Sequence, residues 1–194
     1  MQYSLPFQDD RTGRPERPER LFFAVLADGP AAARVKKLRR ELGVGGRLTP
    51  PERLHVSLHF VGDFKRLKSP VLYGAAQAAG RVAMERFDIA FTAFRSFRGF
   101  NGTRPQVLTG ESEALRALHA RLGTALAAAG LKPASSTFTP HMTLAYAPDE
   151  VKPKTIPPIA LPVDAFALIH SERGLTRYTV IQSWPLRSPA KLAA

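Results

Sequence analysis

Two nine-residue segments set 86 positions apart constrain this chain more than any other feature of its sequence. The first is His55-Val56-Ser57-Leu58-His59-Phe60-Val61-Gly62-Asp63, and the second is His141-Met142-Thr143-Leu144-Ala145-Tyr146-Ala147-Pro148-Asp149. They share His, Leu and Asp, and they pair Val with Met, Ser with Thr, and Phe with Tyr. Each follows a Pro-containing approach, Thr49-Pro50-Pro51 in one case and Thr139-Pro140 in the other. A repeat at this distance indicates a duplicated half-domain rather than a short solenoid unit.

Read as strands, the segments acquire chemical meaning, because successive side chains alternate between faces. His55 and Ser57 are expected on one face, with Val56, Leu58 and Phe60 on the other. His141 and Thr143 are likewise expected opposite Met142, Leu144 and Tyr146. Each half thus offers one imidazole and one hydroxyl on a polar face with an apolar backing. Should the halves meet about a pseudo-twofold axis, all four groups converge on one cleft.

The rest of the chain alternates strand-like and helix-like patterns. Leu21 to Leu26 reads as a buried strand. Val35, Leu38 and Leu42 recur at helical spacing before Gly43. Val71, Ala75, Ala78 and Val82 mark a second helix ending near Gly80. Phe87, Ile89 and Phe91 alternate as in a strand, and an Asn101-Gly102 turn leads to another near Gln106–Thr109. A third helix carries Leu115, Leu118, Leu122 and Leu126, with Ser112 as its N-cap and Gly130 as its stop. A strand over Pro140–Ala147 is followed by a Pro-rich connector, Pro148 to Pro158. Two last strands, Val163–Ser171 and Leu175–Trp184, turn at Gly174. This predicts an α+β fold, bilobal and pseudo-twofold, with two antiparallel sheets, flanking helices and a central cleft. One domain is expected over 20–187, between a flexible tail at 1–19 and a second at 188–194.

Composition removes several functions. With no cysteine, the chain has no disulfide, thiol nucleophile or Cys-bound zinc. No apolar run approaches the roughly 20 residues of a membrane span. The polar, Pro-rich start is unlike a signal peptide, so a cytoplasmic protein without membrane association is expected. A monomer is the separate expectation for its assembly. No Gly-rich phosphate loop follows any strand. Twenty-eight Lys and Arg against sixteen Asp and Glu give a net charge of +12, which attracts polyanions.

A cleft with two imidazoles and two hydroxyls suits phosphoryl chemistry. Opening a 2′,3′-cyclic phosphate needs a base for water and an acid for the departing ribose oxygen, and histidine titrates in the useful range. Ser57 and Thr143 can bind the non-bridging oxygens, where charge builds up. No metal and no other cofactor is then required.

The doubled His-x-Ser/Thr-x motif, met here by His55-Val56-Ser57-Leu58 and His141-Met142-Thr143-Leu144, resembles that of the 2H phosphoesterase superfamily. Within it the chain looks like the bacterial RNA 2′,3′-cyclic phosphodiesterases, also called 2′-5′ RNA ligases. The resemblance extends from the opening strand at Arg20–Val25 to a closing segment, Gly174 to Leu186, that ends in Trp-Pro-Leu. It implies a bilobal fold, RNA ends or cyclic nucleotides as partners, and hydrolysis that leaves a 2′-phosphate, with 2′-5′ ligation as a side activity. It also implies His55 as general acid and His141 as base. One departure stands out: many relatives carry a basic residue five positions after the second motif histidine, and here that position is Tyr146. Arg98 and Arg104 are candidates to supply the missing charge.

Alternatives are a non-catalytic RNA-binding protein, for which the charge and twelve Phe argue, and a metal site using His55, His59 and a third ligand. His59 is expected on the polar face as a solvated neighbour, and His119 is expected to be structural or exposed. His170 has no evident partner in the sequence.

Overall fold

The computed structural model describes residues 19–99, 102–132, 138–172 and 178–187. Strand β1 (Glu19–Leu26) contains the predicted apolar run and is buried on both faces, because strands flank it on either side. Asp28 caps helix α1 (Gly29–Glu41) by accepting a 2.7 Å bond from the Ala31 N–H, and Gly43 takes a left-handed turn after it, φ 63°. A two-residue strand β2 (Arg47–Leu48) and a 3-10 turn (Pro51–Arg53) lead into β3 (His55–Phe64). Helix α2 (Ser69–Gly80), strands β4 (Phe87–Ser96) and β5 (Arg104–Glu111), and helix α3 (Glu113–Ala128) follow. Ser112 caps α3 as its sequence predicts, accepting from the Leu115 N–H at 3.3 Å. Then come β6 (His141–Ala147), β7 (Lys154–Val163), β8 (Ala165–Glu172) and β9 (Thr179–Pro185).

The strands run β7-β4-β5-β6-β3-β1-β8-β9, with β2 added beside β6, and every pairing is antiparallel. This is the expected α+β fold, but its two sheets are joined. The halves meet between β3 and β6 through one register pair, Val56 opposite Met142. Buried residues of all three helices share one apolar core with Leu21, Phe23, Val56, Leu58, Met142 and Leu144. Phe22, Ala24, Ala167 and Ile169 form a small second cluster, which places them on the other face of β1 and β8.

Two sequence expectations need correction. The Pro-rich connector is in part a strand, since β7 spans Lys154–Val163 and includes Pro157 and Pro158. β7 lies at the sheet edge, where a residue without an N–H leaves no ladder bond unmade. The strict alternation in β3 also fails. His59 is buried, at 2% exposure, while Phe60 points outward at 47%. The register passes from Ala24–Ser57 to Phe23–His59, so Leu58 is an extra residue in the ladder, and such a bulge reverses the facing beyond it. β6 has the same break: Val107 pairs with Thr143 and Gln106 with Ala145, which skips Leu144. Tyr146 is accordingly turned outward, at 37% exposure. The duplication therefore reaches the backbone irregularity. The turn proposed at Gly174, Asn101, and the residues 1–18 and 188–194 lie outside the described residues.

Candidate active site

The shared rung at Val56 and Met142 decides where the motif side chains go. In an antiparallel pair the flanking residues face each other across the rung, so His55 stands by Thr143 and Ser57 by His141. Each imidazole is then a diagonal neighbour of the other, a separation of about 7–8 Å between backbone positions. All four side chains lie opposite Val56 and Met142, away from the main core.

Both imidazoles are held alike. His55 Nδ1 lies 2.7 Å from the Arg53 carbonyl, and His141 Nδ1 lies 2.8 Å from the Thr139 carbonyl. A carbonyl only accepts, so each Nδ1 carries a proton and donates it two residues upstream. Each Nε2 is left for the cleft, and His55 Nε2 accepts from the Ser57 hydroxyl at 3.1 Å. Aromatic rings wall the pair: Phe22 and Tyr178 pack on His55 at 5.4 and 5.5 Å, and Phe97 meets His141 edge-on at 5.0 Å.

Burial pushes the His55 pKa down to about 4, and the charges of His141 and Arg53 add to that, while the Arg53 carbonyl opposes it. The influence of His141 fits two rings sharing one cleft.

The structure also brings in residues that the sequence reading did not single out. A cavity of about 120 Å³ adjoins His55 and Thr143 and is lined by Arg47, Thr49, Arg53, Tyr146 and Tyr178 among others. Arg47 lies over the Tyr146 ring at 5.0 Å and Arg53 over Tyr178 at 4.4 Å. The positive charge beside Tyr146 is therefore that of Arg47, and Arg53 lines the same cavity beside Tyr178. Of the two arginines considered from sequence, Arg104 pairs with Glu150 at 3.4 Å, and Arg98 is exposed and follows the Phe97 that touches His141. The sequence held no local signal for the missed residues, since a 3-10 turn at Pro51–Arg53 separates Arg47 and Thr49 from β3 and breaks the strand alternation between them. A larger groove of about 520 Å³, near Arg86, Arg121 and Arg187, has no histidine or hydroxyl side chain in its lining.

The remaining histidines serve elsewhere. His59 donates from Nε2 to the His119 carbonyl at 2.7 Å and stacks on the His119 ring at 4.0 Å; Phe138 stacks on the other side at 4.2 Å. Burial lowers the pKa of both, His119 to about 4. His59 is thus a core residue and not a partner of His55, which removes the imagined metal pair. Among the described residues, no three His, Cys, Asp or Glu side chains gather as metal ligands. His170 finds Glu19 at 3.6 Å.

The family model of the 2′-5′ RNA ligase superfamily matches residues 27–175, which include both motifs. The chain belongs to the 2′-5′ RNA ligase superfamily. Its relatives there are 2H phosphoesterases, which are enzymes. Escherichia coli LigT in apo form is 27% identical, with a TM-score of 0.67 over 88% of this chain and 99% of LigT. A structure described as a phosphoesterase is also 27% identical, with a TM-score of 0.68 over 87% of this chain and 99% of its own. A Thermus thermophilus protein at 24% identity and TM-score 0.71, covering 87% of this chain and 98% of its own, shares the fold. LigT has also been crystallised with 3′-AMP, phosphate, NADP+ and ATP. Among curated proteins, none matches this superfamily member by sequence. No helix among the described residues is long and apolar enough to cross a membrane.

Proposed function

We propose that this protein is an RNA 2′,3′-cyclic phosphodiesterase that opens a terminal cyclic phosphate to a 2′-phosphomonoester, using His55 and His141 without a metal. What supports this reading is the matched pair of imidazoles, each with Nδ1 tied to a backbone carbonyl two residues upstream, which leaves Nε2 as the proton-transfer atom, held in His55 by the Ser57 hydroxyl. His141 Nε2 takes a proton from water as its oxygen attacks phosphorus. The P–O3′ bond breaks, and His55 Nε2–H protonates the departing O3′, leaving a 3′-hydroxyl and a 2′-phosphate. Ser57 and Thr143 donate to the non-bridging oxygens. The order of acid and base follows the family resemblance. Replacing water by a 5′-hydroxyl end yields a 2′-5′ linkage by the same route, and water outcompetes it. Simple RNA binding would not need two tautomer-fixed imidazoles.

The test uses adenosine 2′,3′-cyclic phosphate with the full chain. Hydrolysis to 2′-AMP is expected, at a rate that EDTA leaves unchanged. A 3′-AMP product would overturn the choice of bond, loss with EDTA would overturn the metal-free mechanism, and no turnover would overturn the function.

A second expectation concerns protonation. Because burial depresses the His55 pKa to about 4, the free protein holds this ring neutral at pH 7. An anionic phosphodiester beside it favours the charged form, so binding should raise the value and load the acid. The sign for stability is the opposite of a salt-bridged histidine. The unfolded ring, with a pKa near 6.5, takes up its proton first, so this contribution to stability is complete above about pH 6.5 and is lost as pH falls toward about 4. NMR of the imidazole protons should show no His55 titration between pH 8 and 6 without ligand, and an upward-moving midpoint with inorganic phosphate. A free-state midpoint at the ordinary value would contradict the account.

A further inference from the structure

The cavity beside His55 holds more cationic donor capacity than the reacting phosphate requires. Among the described residues, five buried side-chain polar atoms lack a hydrogen-bond partner, and two of these, Arg53 Nε and Thr49 Oγ1, belong to residues lining this one cavity. Leaving a buried donor unmade is costly, so both groups would gain from an acceptor brought into this cavity. Arg47 lines the same space. Among the described residues neither arginine head has an ion-pair partner there; each rests on a tyrosine ring instead, Arg47 on Tyr146 and Arg53 on Tyr178.

Position gives the acceptor its identity. The cavity touches His55 and Thr143 but neither Ser57 nor His141, so it opens from one end of the four-group cluster. In an in-line attack, water and the departing oxygen lie on opposite sides of phosphorus. With water on the His141 side, the ribose and the chain attached to it leave past His55, into this cavity.

We infer that Arg47, Thr49 and Arg53 form a second anion subsite that binds the phosphate on the 5′ side of the terminal ribose, so that the substrate is a cyclic phosphate carrying another phosphate one nucleoside away. This rests on the proposed function and names its substrate class. Arg47 and Arg53 supply charge, the Thr49 hydroxyl and Arg53 Nε supply directed donors, and Tyr146 and Tyr178 hold the guanidinium planes in place. A bare nucleoside cyclic phosphate leaves these donors unmet.

The experiment compares kcat/KM for three substrates: adenosine 2′,3′-cyclic phosphate, the same compound with a 5′-phosphate, and the dinucleotide ApA with a terminal cyclic phosphate. On wild-type protein both phosphate-bearing substrates should exceed the first by on the order of tenfold or more, as expected for charge-assisted contacts. The 5′-phosphate and the internucleotide linkage separate the two sources of the same chemistry. In Arg47→Met, Arg53→Met and Thr49→Val the ratio should fall toward one, while melting temperatures report on folding. Equal rates on all three substrates would overturn the inference, as would a gain for the dinucleotide alone or a gain that survives the variants. No turnover of any of them would instead overturn the parent reading. The wild-type comparison decides the matter even if a variant does not fold.

Discussion

Replacing either His55 or His141 by Ala should lower kcat on a 2′,3′-cyclic nucleotide by about 10²–10⁴-fold, the usual contribution of a positioned acid or base. The two losses should not multiply. An acid and a base that act in one concerted transfer work as a unit, so the double variant should retain roughly the activity of the weaker single one. Folding should survive, because the two rings belong to neither apolar cluster. Tyr178 and Phe22 touch His55, so a modest fall in melting temperature is expected there, and a smaller one at His141. The measurement is initial rate under saturating substrate, with circular dichroism as the control for fold. Turnover close to wild type from either protein would leave the assignment without support. Multiplying losses would point instead to two groups acting in separate steps.

Phe23→Ala should be the most disruptive single change to the fold itself, at about 3–5 kcal/mol. Phe23 is fully buried in the central strand β1. Its ring lies 6.3 Å from that of Phe166 and 5.9 Å from Trp184, and the latter two stack at 5.5 Å. The cluster pins β1, β8 and β9 together on the helix-bearing side. Removing the ring leaves a void that three strands must close around, at once and in register. Set against a total of about 5–15 kcal/mol for a typical domain, this loss brings the chain near its folding threshold. Urea unfolding followed by tryptophan emission, which Trp184 alone supplies, should show the midpoint falling with little change in slope. A loss under about 1 kcal/mol would mean that the neighbouring rings repack freely.

Much of this architecture was legible in the chain. The helices announce themselves through the spacing of Val35 and Leu38 or of Leu115 to Leu126, and through the capping hydroxyl of Ser112, because local chemistry fixes those features. The convergence of His55, Ser57, His141 and Thr143 was legible from the repeat. What escaped was set by pairing between remote strands. Nothing local to Leu58 or Leu144 says that a partner strand will skip it, yet that skip turns His59 inward and Phe60 and Tyr146 outward. The prolines of β7 hid a strand because tolerance for them depends on lying at an edge. Arg47 reaches the cleft only because β2 lies on β6, opposite Tyr146. That approach depends on Gly46, whose φ is 80° and whose place would put a Cβ 2.4 Å from the Tyr146 carbonyl oxygen.

The lone rung between β3 and β6 has a consequence for how tightly the two motifs are gauged. Each half carries its own ladders, so neither needs the other to stay ordered as a sheet. The spacing of the two rings is then inherited from the interstrand distance, a constant of backbone hydrogen bonding, and not from the lengths of loops. Loops elsewhere are free to lengthen, shorten or change sequence without detuning that gap. A fold arranged in this way has a built-in caliper, and only a change at the rung itself can reset it.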